Sequence, residues 1–164
     1  MILSTHAVAG AALASLLPSH PTIVVVAGFA SHFAMDAIPH WDYPLRSISL
    51  KPNDGKRISG NGLLRDIGLV AVDACAGLAL AIWLFATSAT IGVILLGAVA
   101  AMLPDPLQVA HRLCPREPLR TLQRFHVWIH CNSQLEWPIG VSSQVAFAAT
   151  MVVISGALQW AMRA

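Results

Sequence analysis

Charged side chains are scarce: Asp, Glu, Lys and Arg together make up 11% of the 164 residues, against 56% hydrophobic. A soluble globule usually carries about a quarter charged residues, so this balance argues against that class and for a membrane one. The ten Lys and Arg are spread over loops without interleaved aromatics and leave a net charge of only +2. A nucleic-acid partner is therefore not expected. Three cysteines, Cys75, Cys114 and Cys131, form no CxxC pair and no even set, which excludes a disulfide framework and gives them no assigned chemistry. The opening stretch MILSTHAVAGAALASLLP lacks the basic start of a secretory leader and holds His6 inside it, so it is expected to be retained.

What is present is a series of apolar stretches at about 4–17, 22–38, 64–87, 89–103 and 139–162. The expected fold is all-α: a bundle of about five helices embedded in a membrane as one domain over residues 1–164. The third and fifth stretches are long enough to cross a bilayer, and the first, second and fourth are short, nearer to buried or partly inserted helices. Two polar segments interrupt the pattern, about 43–62 and about 104–138. The first is a Ser-, Pro- and Gly-rich loop with an expected Asp54-Gly55 turn. The second holds an amphipathic helix starting at Pro118, with Leu119, Leu122, Phe125, His126, Ile129 and His130 on one side, expected to lie at the interface. Trp41, Trp128, Trp137 and Trp160 suit interfacial anchoring. If the helices alternate in direction, both basic segments fall on one side, which the positive-inside rule makes cytoplasmic, and only Arg163 falls opposite.

The same alternation gathers the ionisable residues. His6 opens the first helix, and His32 and Asp36 close the second one turn apart in HFAMD, followed by His40 and Asp42 in PHWD. Asp66 and Asp73 begin the third helix, Asp105 ends the fourth between two prolines, and His126 and His130 precede the fifth as FHVWIH. The opposite end offers only His20. Charges near lipid are costly and usually paired or functional. Imidazoles and carboxylates together suit zinc, manganese or iron, and i,i+4 spacing lets two side chains of one helix reach one ion. A bound ion would lower the pKa of its water and polarise a phosphoryl or carbonyl oxygen. The metal-ligand set read this way is His6, His32, Asp36, His126 and His130, for one or two divalent ions, zinc first. Asp105 and Asp73 are candidates for a bridging ligand or general base, and His40 for a ligand or proton shuttle.

Each residue alone has a plainer explanation. A lone HxxxD or HxxxH pair is as well explained by capping or a buried hydrogen bond. Asp66 suits the positive end of a helix, Asp105 and Asp42 suit turns, and His20 and His111 suit solvent. The metal expectation rests on convergence of the set. A transporter that relays protons or a cation through the same His and Asp residues is the rival expectation, disfavoured by the absence of an internal repeat.

Thr5-His6 with Gly10, the SHFAMDAIPHWD segment at 31–42, LPD at 103–105 and FHVWIH at 125–130 resemble the small membrane-bound metal-dependent hydrolases found largely in bacteria and archaea. The resemblance implies a hydrolase of the inner (cytoplasmic) membrane. A fainter similarity to the ligand helices of zinc-dependent phospholipase C lies in the order His32, Asp36, Pro39, His40, with shorter spacing after the aspartate here. Location adds membrane lipid as a partner and an ester or phosphoester, lipid or lipid-linked, as the expected substrate.

Overall fold

A computed structural model describes residues 1–48 and 62–164, and the expected Asp54-Gly55 turn lies outside the described residues. Among them the chain forms α1 (Leu3–Leu16), α2 (Pro21–Asp36), α3 (Leu63–Phe85), α4 (Ile91–Met102), α5 (Pro104–Leu113), α6 (Leu119–Ile129) and α7 (Trp137–Ala161). No named strand occurs among the described residues; the single isolated bridge there joins His40 and Gln134.

α1 is the hub. It packs against α2, α3, α4 and α7, and it is buried on every side, through Leu3, Thr5, His6, Ala7, Val8, Ala9, Gly10, Ala11, Ala12 and Ala14. A helix apolar all round belongs inside, and its 14 residues span about 21 Å, which fits the expectation of a short, buried helix. Small residues let its neighbours close in. Gly97 of α4 faces Gly10 of α1 and Gly28 of α2: a Cβ at Gly97 would lie 2.6 Å from the Gly10 carbonyl oxygen, and one at Gly28 would lie 2.9 Å from that of Gly97.

α3 and α7 flank this core. Each is long and apolar enough to cross a membrane, and α4 with α5 forms a pair bent by 49° that passes the same test together. Their outward faces are apolar, with Trp83 78% and Trp160 74% exposed. Few side chains on these two helices are buried: Asp66, Gly77 and Ala81 on α3, and Gly140, Gln144 and Ser155 on α7.

The structure corrects the helix count. The Pro104-Asp105-Pro106 stretch, expected to end a helix and open a polar segment, starts a helix of its own, α5. Proline breaks a helix from within, but is tolerated in the first turn, where its missing N–H would have no partner anyway. The amphipathic helix begins after Pro118 as expected and buries His126, although Phe125 is exposed. Trp41 is not a free anchor: its backbone and Cβ pack against Gly140, and its carbonyl accepts from the Gln144 amide at 2.9 Å.

Candidate metal centre

The direction of each helix brings the expected residues to one end of the bundle. α1 starts there with His6, α2 ends there with His32 and Asp36, the α4–α5 bend places Asp105, and α6 supplies His126. Two backbone hydrogen bonds fasten the chain after α2 to the chain after α6: Cys131 N–H donates to the Asp36 carbonyl at 2.8 Å, and Leu135 N–H to that of His40 at 3.0 Å. His40 and His130 are thereby drawn together, with ring centroids 4.9 Å apart.

At the centre is the Asp36 carboxylate, 1% exposed. Four imidazole nitrogens surround it. His32 Nε2 and His126 Nε2 lie 3.1 and 3.2 Å from Oδ2, while His6 Nε2 and His40 Nε2 lie 3.2 and 3.9 Å from Oδ1. Asp105 Oδ1 lies 3.4 Å from His32 Nε2, and Asp42 Oδ1 lies 3.0 Å from His40 Nε2. The amino group of Met1 lies 2.7 Å from Asp36 Oδ1 and 3.2 Å from Asp42 Oδ1.

The other ring nitrogens decide what these contacts mean. His32 Nδ1 is 2.8 Å from the carbonyl of Ala101, in the last turn of α4, where helix carbonyls lack partners within the helix. His40 Nδ1 is 2.6 Å from the Ile38 carbonyl, and His130 Nδ1 is 3.0 Å from that of Cys131. A carbonyl only accepts, so each Nδ1 carries the proton, and a neutral ring then aims its Nε2 lone pair at the cluster. A carbonyl that fixes the tautomer in this way is a common support for metal-binding histidines. The buried Nε2 atoms of His6, His32 and His40 have no hydrogen-bond partner among the described residues. Lone pair facing carboxylate at such distances is repulsive unless a proton or cation lies between them. His6 and His126, whose buried Nδ1 atoms have no partner among the described residues, can stay neutral and donate Nε2–H to Asp36, whereas His32 and His40 would each have to carry a charge, and two buried imidazolium rings beside the Met1 ammonium are costly.

His32, Asp36, Asp105 and His126 form one set of mutually close donors, and Asp36, His40 and His130 form another; both can hold a metal ion. Spacing agrees. Ligands about 2.0–2.1 Å from a tetrahedral ion stand about 3.3 Å apart; the His32–Asp36, His126–Asp36 and His32–Asp105 contacts run from 3.1 to 3.4 Å, and all donors of the first set lie within 4.8 Å of one another. Burial pushes the His130 imidazole below its ordinary value, toward the neutral form that a ligand needs, whereas at His32 burial is outweighed by Asp105 and Asp36, which push the ring up to about 9 and mark a place where positive charge is favoured.

Asp73 stands apart from both sets. Its carboxylate accepts from Ser4 N–H at 2.9 Å and from the Tyr43 hydroxyl, which itself accepts from Leu3 N–H at 2.7 Å. Together they cap the first turn of α1. Burial and the Asp73 charge push the Tyr43 phenol well above its usual range, keeping it a donor. Asp73→Ala is expected to cost about 1–2 kcal/mol, as loss of a helix cap does, and to leave bound metal unchanged; thermal melts and metal analysis of the same detergent sample check both halves. Asp66 has a similar occupation, accepting from the backbone N–H groups of Arg46, Ser47 and Ile48. His20 is exposed as expected, whereas His111, expected in solvent, is half-buried.

The sequence reading passed over Gln108 and Gln123. Gln108 Nε2 donates to Asp105 Oδ1 at 3.0 Å and lies 3.3 Å from His126 Nε2, and Gln123 Nε2 donates to Gln108 Oε1 at 3.2 Å. The signal for Gln108 was its position three residues after Asp105, one turn along the same face, legible only once that stretch is taken as a helix. No family model, curated protein or solved structure matches this chain.

Proposed function

We propose that the chain is a single membrane-embedded domain acting as a metal-dependent hydrolase on an ester or phosphoester, with a lipid or lipid-linked molecule as substrate. One observation carries this reading: buried Nε2 atoms without hydrogen-bond partners converge on the buried Asp36 carboxylate. A divalent ion, zinc first and manganese or iron as alternatives, supplies a Lewis acid and an acidified water when bound. His32, His126 and Asp36 would hold it, the two-histidine, one-carboxylate set of many catalytic zinc sites. His6 and His130 stand ready for remaining positions. Asp105 is 22% exposed, the most accessible member of its set, and is the base that takes the proton from water, with the Gln108 amide fixing its carboxylate.

Membrane placement is supported by the two long apolar helices and the exposed apolar faces. Arg65, Arg112, Arg116, Arg120 and Arg124 belong to the elements at the metal-centre end, Arg163 to the other, so the centre faces the cytoplasm by the positive-inside rule. An apolar furrow lined by Leu3, Ala74, Val99, Met102, Leu103 and Pro106 runs beside the α4–α5 bend that bears Asp105, which supports a substrate with an alkyl chain.

The bend itself favours the second reading, a transporter of a cation or protons, because broken helices recur at transport sites. The experiment that separates the two compares detergent-solubilised protein with sealed vesicles. Hydrolysis of phospholipid or phosphoester reporters should need zinc or manganese, stop with chelator, and fall at least about 100-fold in Asp105→Asn while much of the metal stays bound. Cation flux in vesicles with no hydrolysis of any ester would overturn the hydrolase.

A further inference from the structure

The donors around Asp36 outnumber the places around one tetrahedral ion, and they divide by which carboxylate oxygen they face. Oδ2 faces His32 and His126, at 3.1 and 3.2 Å. Oδ1 faces His6 at 3.2 Å from within the bundle and His40 at 3.9 Å from the loop side, and Asp42 extends that loop side, with Oδ1 3.0 Å from His40 Nε2 and Oδ2 3.7 Å from His130 Nε2. Asp36 is the one residue common to both sets of mutually close donors.

The second side repeats the support that His32 has on the first, which His126, with its buried Nδ1 lacking a partner among the described residues, does not share. Both of its imidazoles hand the Nδ1 proton to a backbone carbonyl, Ile38 for His40 and Cys131 for His130. That leaves Nε2 for a cation, and the His40 Nε2 atom is buried without a hydrogen-bond partner. The loops carrying the two rings are cross-tied by the Cys131-to-Asp36 and Leu135-to-His40 backbone bonds, so the donors are held in place rather than left to a mobile surface. The Met1 amino group lies between Asp36 Oδ1 and Asp42 Oδ1, a sign that this point attracts positive charge. A divalent ion, with two imidazoles and two carboxylates at hand, competes for it better than an ammonium, which can use no lone pair of the rings.

We infer that the centre holds two divalent ions with Asp36 as the bridging carboxylate, the inner ion on His32 and His126 and the outer ion on His40, His130 and Asp42. This rests on the hydrolase reading for the inner ion and adds the outer one. Two ions sharing a carboxylate suit a phosphoester in particular, because the attacking and leaving oxygens each find a cation.

The test is manganese titration of the full chain in detergent, read by metal analysis and by electron paramagnetic resonance. The wild type should bind about two Mn2+, with an exchange-broadened spectrum in place of the sharp six-line signal of an isolated ion. His40→Ala and, as a milder change at a partly exposed side chain, Asp42→Asn should each fall to about one ion and recover the six-line signal, with helix content by circular dichroism unchanged. Saturation at one ion with turnover intact, two ions without exchange, or both ions retained in both variants would each overturn the bridge while leaving the hydrolase reading standing. No bound ion at all in the wild type would take both down.

Discussion

Asp36→Asn is expected to strip the protein of tightly bound divalent metal and, with it, at least about 100 times the metal-dependent turnover of the background. The size follows from position. Asp36 is 1% exposed and is the common neighbour of His6, His32, His40 and His126, so no other residue touches so many of the proposed ligands. An amide of the same shape loses the negative charge and presents one oxygen where two were available. The partner histidines would then surround a neutral group, and nothing would offset the cost of placing a divalent charge among them. His20→Ala, at the far end and exposed, is the matched control and should bind metal as the wild type does. Metal analysis after dialysis against a weak chelator checks the pair. Equal metal content in Asp36→Asn and His20→Ala would sink the metal-centre assignment, whatever the activity.

Much of this centre was legible because one rule did most of the selecting. Once apolar stretches alternate in direction, every His or Asp at a stretch end is assigned to one pole or the other, and the HFAMD and FHVWIH spacings then fix which of them share a helical face. That suffices for His6, His32, Asp36, Asp105, His126 and His130. It does not suffice for residues whose destination depends on a loop's path. Asp42 read as a turn residue, yet its chain is tied to the segment after α6 by hydrogen bonds between backbones, which carry no mark in the side chains. Asp73 misleads in the opposite direction: it sits at the right pole, but the free N–H groups of α1 and the Tyr43 hydroxyl claim its carboxylate. Sequence spacing places a carboxylate on a helix without saying which donor reaches it first.

The fold shows the same division. Length and apolar content mark α3 and α7 as potential spans and α1 as a short helix of another kind. Prolines were harder to read, since Pro-Asp-Pro looks like a terminator and serves as the first turn of α5. The glycines Gly10, Gly28 and Gly97 were visible as small residues able to permit close contact. Which of them meet is a matter of helix register, and their mutual approach across α1, α2 and α4 is a property of the packed bundle alone.

That approach makes Gly97 a position where a single methyl group should matter. A Cβ there would lie 2.6 Å from the Gly10 carbonyl oxygen and 2.7 Å from the Ala14 Cβ. The first of these is backbone and the second is fixed to it, so neither can swing aside, and the helices themselves must part. Gly97→Ala is accordingly expected to cost about 1–3 kcal/mol despite the better helix propensity of alanine, and Gly97→Leu to prevent the bundle from forming. Gly92, on the same helix, has no atom within 4 Å of an added Cβ, so Gly92→Ala should be neutral or gain up to about 1 kcal/mol from propensity. The consequence reaches the candidate metal centre. Gly97 lies one turn before Ala101, whose carbonyl fixes the His32 ring, and Gly10 lies one turn after His6. Forcing α4 away from α1 and α2 pulls that carbonyl from His32 Nδ1, and the ring loses its fixed tautomer before the fold is lost. Gly97→Ala should therefore weaken metal binding by about 10–100-fold, the usual effect of losing such a supporting contact, while remaining helical. Thermal melts and metal titration of Gly97→Ala and Gly92→Ala side by side decide it. If Gly97→Ala melts and binds metal as Gly92→Ala does, α1 and α4 do not pack as closely as described, and the route from that contact to His32 fails with it.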